Sequence, residues 1–386
     1  MRATAALRAA SIAFLLAFFR APVSADDPVS SSVSFNREVL RIIQRKCEPC
    51  HAPGGLAFSI SDYRDARIWG RAIREELVEH RMPPAIAARG YGRFESDPSL
   101  TTREMATMLT WLDGGMPRGD EADRPRAVDA IDPAIDDGGS ASVRLALPAQ
   151  DVPAGQDLVV RRVTIDASAA AGRPIARVQL RPGNRRVLRG AVVFASAGPA
   201  SAQSLIGSWS PWQHALVPPP SHAFRLPAAG MLIVELSYRG VDTATSDRSE
   251  VDVLFATDTA RGRIDDVVVE AVADRAAPRV RGSVVLARPT TIWAVHPAFD
   301  ETVKSIELRA ERPDTSVEVL LWMPAPNAAW PVTLVLQDPV SLPAGSRVVL
   351  VAETGGSADV RLQTVGGTRP TYAGARVTLS VLSGGR

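Results

Sequence analysis

The hydrophobic pattern divides the chain into a helical part and a strand-rich part. Apolar residues recur at helical spacing in 36–45 and again in 61–80. A third helix is predicted from Thr101, where a capping box with Glu104 precedes an apolar run that stops at a Gly-Gly pair. Three helices are therefore expected before residue 120.

From residue 143 the pattern changes to short apolar runs between turns that are rich in proline and glycine. The runs are 158–165, 187–194, 231–238, 251–255, 280–286, 305–308, 317–322, 332–336, 348–351 and 377–381. Strands at this density predict antiparallel sandwiches. About 240 residues of this kind predict two sandwiches rather than one.

The composition is that of a folded protein and excludes one class of partner. Of the 386 residues, 46% are apolar and 22% are charged, which disfavours a disordered chain. The net charge is only +2, and no cluster of lysine and arginine is interleaved with aromatic residues. We therefore expect no nucleic-acid partner.

The first 25 residues have the order of a bacterial secretory signal. Arg2 and Arg8 give a positive start, 9–19 an apolar stretch, and 23–25 a small-residue cleavage site. The alternative is an uncleaved N-terminal anchor. The apolar stretch is short for a membrane span, so the sequence predicts no transmembrane anchor and a location in the periplasm or outside the cell.

Both cysteines of the chain lie in one CEPCH motif, as Cys47 and Cys50, directly followed by His51. Such a pair could be a redox dithiol, half of a zinc site, a disulfide or a haem anchor. Zinc would need a second ligand pair, and a thioredoxin-like dithiol would need a βαβ context. The histidine favours the haem anchor, because two thiols one helical turn apart can add to the two vinyl groups of a haem. The sequence therefore predicts one covalent haem c with His51 as an axial iron ligand.

The second axial ligand is predicted to be Met82, in the segment HRMPP. A methionine thioether is a common partner of histidine in cytochromes c, and two prolines would stiffen the loop that presents it. His80 is an alternative nitrogen ligand. The alternative methionines are Met105, Met108 and Met116.

Residues 35–120, with CEPCH, HRMPP and SLTTREMATMLTWLDGGMPRGD, resemble the cytochrome c domain of bacterial proteins related to ascorbate-dependent type II copper monooxygenases. Further on, LSYRGVDTATSDRSEVDVLFA resembles the end of that family's first sandwich, and IWAVHPAFDETVKSIELRAERPD resembles its second. The resemblance implies an all-α, class I-like cytochrome c domain followed by two all-β antiparallel, jelly-roll-like sandwiches. The expected organisation is a signal peptide at 1–25, the cytochrome domain at 33–120, a linker at 121–142, and sandwiches at 143–274 and 275–386.

The copper ligands that this resemblance implies are replaced. The family's first copper uses two adjacent histidines and a His-Tyr pair, and the corresponding places here are 189–190 (Arg-Gly) and 237–238 (Ser-Tyr). Its second copper uses a His-x-His and a later methionine, where this chain has 297–300 and no methionine after Met323. The remaining histidines are isolated and are expected at the surface: His214, His222 and His296. We therefore expect no copper.

The sequence thus predicts a periplasmic electron carrier rather than a catalyst, working with a redox partner protein, with the sandwiches as a scaffold or docking unit. One alternative is a copper monooxygenase-like oxidoreductase in which the haem feeds a second redox centre. Another is a sandwich module that binds carbohydrate or cell-surface polymer on a tryptophan platform. The tryptophans of that platform would be Trp209, Trp212, Trp293, Trp322 and Trp330.

Overall fold

A computed structural model describes most of the chain after the predicted signal peptide. The described residues are 32–84, 86–127, 142–198, 201–213, 215–256, 260–272, 277–355 and 374–384. The predicted signal at 1–25 lies outside them, as do residues 128–141 of the predicted linker and 273–276 at the predicted break between the sandwiches.

The described α-helices lie in residues 32–127, which we call the helical segment. Its α-helices are α1 (Leu40–Lys46), α2 (Glu48–His51), α3 (Tyr63–Ile68), α4 (Gly70–Val78) and α5 (Thr102–Asp113). A π-helical turn, Phe35–Val39, leads into α1, and the predicted helix at 61–80 is two helices that meet at Trp69. Among the described residues, no helix has the length and apolar character needed to cross a membrane.

The predicted capping box is confirmed at the start of α5. The Thr101 hydroxyl accepts a hydrogen bond from the Glu104 N–H at 3.1 Å, and the Glu104 carboxylate accepts one from the Thr101 N–H at 2.8 Å. The two ends of the helical segment also meet, because the Phe35 N–H donates to the Pro117 carbonyl at 3.0 Å. Phe35 and Trp111 lie together in its core, fully buried.

Strands make up the β region, residues 142–384. The strands of its first half are β1 (Ser142–Ala146), β2 (Gln150–Val152), β3 (Val159–Asp166), β4 (Pro174–Arg181), β5 (Leu188–Ser196), β6 (Gln203–Trp209), β7 (His222–Arg225), β8 (Met231–Tyr238), β9 (Thr245–Asp247) and β10 (Glu250–Phe255). Those of its second half are β11 (Gly262–Val272), β12 (Arg279–Val285), β13 (Thr290–Phe299), β14 (Val303–Glu311), β15 (Val317–Met323), β16 (Leu334–Leu342), β17 (Arg347–Thr354) and β18 (Gly374–Ser383). Each strand run predicted from the sequence overlaps one of these strands.

One eight-stranded sheet runs through both halves, in the order β1-β10-β4-β7-β11-β18-β13-β16. The sheet β3-β8-β5-β6 packs on its first half and β12-β17-β14-β15 on its second, each around its own hydrophobic core. The halves join where β7 and β11 pair in parallel, with Gly262 opposite His222. A Cβ at Gly262 would collide with the His222 ring, so glycine allows this close approach.

The predicted fold class is wrong in its first element. Strands account for 44% of the structure and helices for 16%, and the five described α-helices are short. The helical segment therefore does not form a sizeable all-α, class I-like cytochrome domain. Helical periodicity revealed the apolar faces, but it did not reveal that the helices stop after one to three turns.

The fold class was also predicted wrongly because part of the helical segment packs on the β region. Ile86 and Phe94 are buried in the hydrophobic core of the second half. The Ala88 N–H donates to the Trp322 carbonyl at 2.7 Å, and Glu95 N–H to the Val335 carbonyl at 2.9 Å. The chain between α4 and α5 thus docks on the second half rather than closing a helical domain.

Candidate haem site

The two cysteines and the histidine of the CEPCH motif are brought together by one helical turn. Cys47 lies between α1 and α2, and its carbonyl accepts hydrogen bonds from the N–H groups of Cys50 at 3.0 Å and His51 at 2.8 Å. Both cysteines are free thiols and half-buried. The arrangement therefore presents two thiols and an imidazole from a single short stretch of backbone.

The loop after α2 folds back onto the motif. The Ala57 N–H donates to the Cys50 carbonyl and the Ile60 N–H to the His51 carbonyl, each at 3.0 Å. A Cβ at Gly55 would lie 2.7 Å from the Cys50 carbonyl oxygen, so the tight return requires glycine there. This loop carries Phe58 to the side of His51.

The His51 ring is oriented by that loop. Its Nδ1–H donates to the Phe58 carbonyl oxygen at 2.9 Å, which leaves Nε2 as the nitrogen with a lone pair. Burial lowers the pKa of His51, so the neutral imidazole is favoured. A neutral ring held through its other nitrogen by a backbone carbonyl is the usual form of a metal-ligating histidine.

The thiols do not have the character of a reactive dithiol. Burial raises the pKa of Cys47 and of Cys50 to about 12, and for Cys50 the nearby Arg189 charge opposes that rise. Catalytic CxxC dithiols have a lowered pKa, because the thiolate is the attacking species. This environment disfavours the redox-dithiol alternative.

Aromatic rings cover one side of His51 and are themselves exposed. The Phe58 ring contacts the His51 ring edge to face, with centroids 5.1 Å apart, and stacks on Trp69 at 4.2 Å. Phe58 is 48% exposed and Trp69 42%. We call these three rings the aromatic group; it offers apolar surface beside the motif to a large flat ligand.

Met82 differs from the other methionines of the helical segment in its exposure. It follows α4 in an irregular loop, and its side chain is 41% exposed. Met108 is buried, and Met105 and Met116 pack against the helical core, with the Met116 sulfur against Gly70. His80 is exposed. Met82 is therefore the methionine whose thioether is not committed to the core.

A cleft of about 480 Å³ lies beside the motif, between α1 and residues 124–127. Its lining includes Gln44, Glu48 and Arg124, but none of the motif cysteines nor His51. Burial raises the pKa of Glu48, which is 8% exposed. The cleft therefore borders the motif through Glu48 and not through its thiols or its imidazole.

The positions that correspond to the family's first copper lie side by side. Strands β5 and β8 pair in antiparallel register, with Gly190 opposite Ser237 and Leu188 opposite Tyr238. At one of these positions the side chain has a structural role: Tyr238 is fully buried, and its hydroxyl donates a hydrogen bond to the Asp247 carboxylate at 2.8 Å. The charge of Arg189, a residue not predicted to be functional, lowers the pKa of the Cys50 thiol against the larger rise that burial causes.

Two of the isolated histidines are buried, contrary to the prediction of a surface position. His222 is 8% exposed on β7, where it packs on Gly262, and His296 is 5% exposed on β13. His296 Nδ1 contacts the Val332 carbonyl at 3.0 Å. His214 lies outside the described residues, and within them no three His, Cys, Asp or Glu side chains gather to hold a metal ion. Met323 is a buried packing residue at the end of β15.

The five tryptophans do not form one exposed platform. Trp209 and Trp293 are in the core of the first half, at 4% and 3% exposure. Trp212 and Trp330 contact each other, with ring centroids 5.2 Å apart, and both are half-buried. This arrangement disfavours the alternative in which exposed tryptophans bind carbohydrate or cell-surface polymer.

Comparisons with known proteins add little to this picture. No family model and no curated protein matches the sequence. Similar solved structures include N-glycanase F (PNGase F), at 9% identity and a TM-score of 0.28, covering 64% of this chain and 96% of that one. Another is the major capsid protein P2 from bacteriophage PM2, at 11% identity and a TM-score of 0.23, covering 63% and 97%. Likenesses this distant say nothing about what the chain does.

Proposed function

We propose that this protein is a c-type cytochrome that carries one covalent haem and transfers single electrons. The observation that carries the proposal is the hydrogen bond from His51 Nδ1 to the Phe58 carbonyl, within a motif whose two thiols lie one turn apart. Neither a disulfide nor a reactive dithiol requires this hydrogen bond. It orients an imidazole for a metal on the opposite nitrogen.

The residues present fit a covalent haem. Cys47 and Cys50 would attach it, His51 would hold the iron through Nε2, and the aromatic group offers apolar cover beside it. Met82 would hold the iron as the second protein ligand, since its thioether is available while the other methionines of the helical segment are packed. A haem bound in this way supplies an iron centre that gains and loses one electron. A methionine ligand raises the reduction potential of that centre.

The chain's own residues would then hold the centre in one geometry. Gly55 lets the loop return, the loop places the Phe58 carbonyl, and that carbonyl keeps the His51 ring in one tautomer. The 86–95 segment, docked on the second half, limits how far the chain beyond Met82 can move. The β region acts as a scaffold that fixes this segment and presents the centre to a redox partner protein.

The remaining parts of the proposal follow from the sequence. The signal-like residues 1–25 favour export to the bacterial periplasm or beyond, and the resemblance to copper monooxygenases applies to the β region. The replaced ligands at 189–190 and 237–238 favour a β region without copper, and so an electron carrier rather than a monooxygenase.

The test is metal and absorption analysis of full-length protein exported from a host that attaches haem to cytochromes c. The proposal expects a pyridine haemochrome spectrum of one covalent haem, one iron per chain and no copper. Iron together with stoichiometric copper would favour the monooxygenase alternative with a second redox centre. A chain without haem would overturn the proposal.

A further inference from the structure

Residues 86–95, which we call the strap, attach to the edges of two sheets at once. The Ala88 N–H donates to the Trp322 carbonyl of β15, the edge strand of the sheet β12-β17-β14-β15. The Gln337 N–H donates to the Arg93 carbonyl at 2.9 Å from β16, the edge strand of the eight-stranded sheet. The strap therefore bridges the two sheets that form the second half of the β region.

Two buried side chains anchor the strap at its ends. Ile86 is 6% exposed and Phe94 is 7% exposed, and both lie in the hydrophobic core of the second half. The side-chain amide of Gln337 also donates to the Phe94 carbonyl at 3.0 Å. The helical segment supplies the strap, but burial and hydrogen bonding attach it to the β region.

Gly92 allows the turn that brings Phe94 into this core. Its φ of +81° lies in the left-handed region, and a Cβ there would come within 2.6 Å of both the Leu320 carbonyl oxygen and the Phe94 ring. Gly90 has a similar φ of +86°, but a Cβ there would meet no atom within 4 Å. An alanine strains the backbone at either position, whereas only at position 92 would its methyl group also push the strap away from β15.

Met82 lies on the short stretch of chain between α4 and the strap. On one side, the Met82 N–H donates to the Glu76 carbonyl at 3.3 Å, which ties it to the end of α4. On the other side, three residues separate it from Ile86. The Cα atoms of Met82 and Ile86 are therefore at most about 14 Å apart. Leu77 of α4 is buried in the helical core, so the place of Met82 depends on two separate cores.

We propose that the strap is a positioning element that keeps the Met82 thioether on the haem iron, so that the second half of the β region controls the second axial ligand. The inference rests on the proposed function. While the strap is docked, the chain that carries Met82 is held at both ends. When the strap is released, that chain is held only by α4 and the sulfur is free to leave the iron. The strap acts through Met82 and is not itself a ligand.

The experiment measures how readily added imidazole replaces Met82 on the ferric iron of full-length, haem-loaded protein. In this exchange the iron–sulfur bond breaks and an iron–nitrogen bond forms, and no electron is gained or lost. Relative to Gly90→Ala, which shares the backbone strain, Gly92→Ala should tighten the binding of imidazole about tenfold, because a collision of this kind destabilises a packed site by about that factor.

A second comparison shows whether the effect passes through Met82. Met82→Ala removes the competing ligand, so in that background Gly92→Ala and Gly90→Ala should bind imidazole equally. A purely structural effect on the haem site would persist without Met82. Equal affinities of the two glycine variants when Met82 is present, or a difference that persists in Met82→Ala, would overturn the inference.

Release of the strap is measured separately by trypsin, which cuts after the exposed residues Arg89 and Arg93. Cleavage there should be faster in Gly92→Ala than in Gly90→Ala, with or without attached haem. If Gly92→Ala does not fold, Phe94→Ala removes the anchoring side chain and is compared with the unaltered protein. A strap that is released while the affinity for imidazole stays the same would overturn the inference.

Two measurements on the haem itself, made first, identify a failure of the proposed function. A pyridine haemochrome spectrum without covalent haem would overturn the proposed function, and this inference with it. An affinity for imidazole that does not change in Met82→Ala would show that Met82 is not the ligand, which overturns the inference but leaves the covalent haem in place.

Discussion

The helical segment and the β region differ in how completely they cover their apolar surface. The segment is the smaller of the two, yet it holds six of the ten large apolar side chains that are exposed among the described residues. These are Phe58, Ile68, Trp69, Val78, Met82 and Tyr91. The four exposed in the β region are all valines, scattered along different parts of it. The β region buries its apolar side chains more completely, with Ile86 and Phe94 of the helical segment in its second core, whereas the helical segment leaves more of its large apolar side chains exposed.

The β region and the helical segment also differ in how completely their polar groups are hydrogen-bonded. In the β region, Asp247 is 1% exposed and accepts hydrogen bonds from the Tyr238 hydroxyl, the Ser249 hydroxyl and the Asn184 N–H. In the helical segment, the oriented polar group is His51, and only one of its ring nitrogens is satisfied by the loop. Buried polar groups are hydrogen-bonded within the β region, whereas in the helical segment His51 keeps one ring nitrogen available for a ligand.

The largest effect is expected from replacing both cysteines to which the haem would be attached. Cys47→Ala with Cys50→Ala should abolish covalent haem completely, as judged by haem staining after denaturing electrophoresis, because no thioether can form. The β region has its own cores, so its unfolding midpoint by tryptophan fluorescence should not change. Covalent haem that survives in the double variant would contradict the assignment of the motif.

Replacing the second predicted ligand should change the centre without detaching it. Met82→Ala should keep covalent haem, lose the long-wavelength absorption band of methionine-ligated ferric haem and lower the midpoint potential. Met116→Leu is the matched control, because that methionine packs against Gly70 in the core and should leave the band in place. A band that persists in Met82→Ala and disappears in Met116→Leu would reverse the assignment.

Within the β region, Asp266 on β11 should make stability depend on pH. Its carboxylate accepts hydrogen bonds from the Leu205 N–H at 2.6 Å and the Ser380 hydroxyl at 3.2 Å, and burial raises its pKa from 3.8 to about 6. The folded state therefore binds a proton more tightly than the unfolded state. As the pH falls from about 6 to 4, this group should add up to about 3 kcal/mol to the free energy of unfolding, relative to Asp266→Asn.

The measurement for Asp266 is urea unfolding of both proteins at several pH values, compared by difference so that other carboxylates cancel. Above pH 7 the difference should be constant, because Asp266 is charged in both states. A difference that shrinks rather than grows on acidification would mean that the folded protein prefers the charged carboxylate.

The smallest effect tests the Asp247 network. Tyr238→Phe removes one donor from a buried carboxylate and should lower the free energy of unfolding by about 2 kcal/mol. Tyr91→Phe, at an exposed position, should change it by less than about 0.5 kcal/mol. Equal effects in the two variants would show that the β region does not depend on its buried polar groups.

Local features of the structure were open to prediction because neighbouring residues determine them. The Thr101–Glu104 capping box and strand runs such as 231–238 depend on side chains within a few positions of one another. The same holds for the CEPCH turn, which places Cys47, Cys50 and His51 by helical geometry alone. The spacing of these three residues is therefore sufficient to propose the chemistry of that turn.

Only the tertiary structure decided the rest, because it depends on contacts between residues far apart in the chain. No local pattern indicates that 86–95 packs on the second half, that β7 and β11 join two sandwiches into one sheet, or that His296 is buried. The all-α domain was predicted wrongly for the same reason, since periodicity shows a helical face but not what covers it.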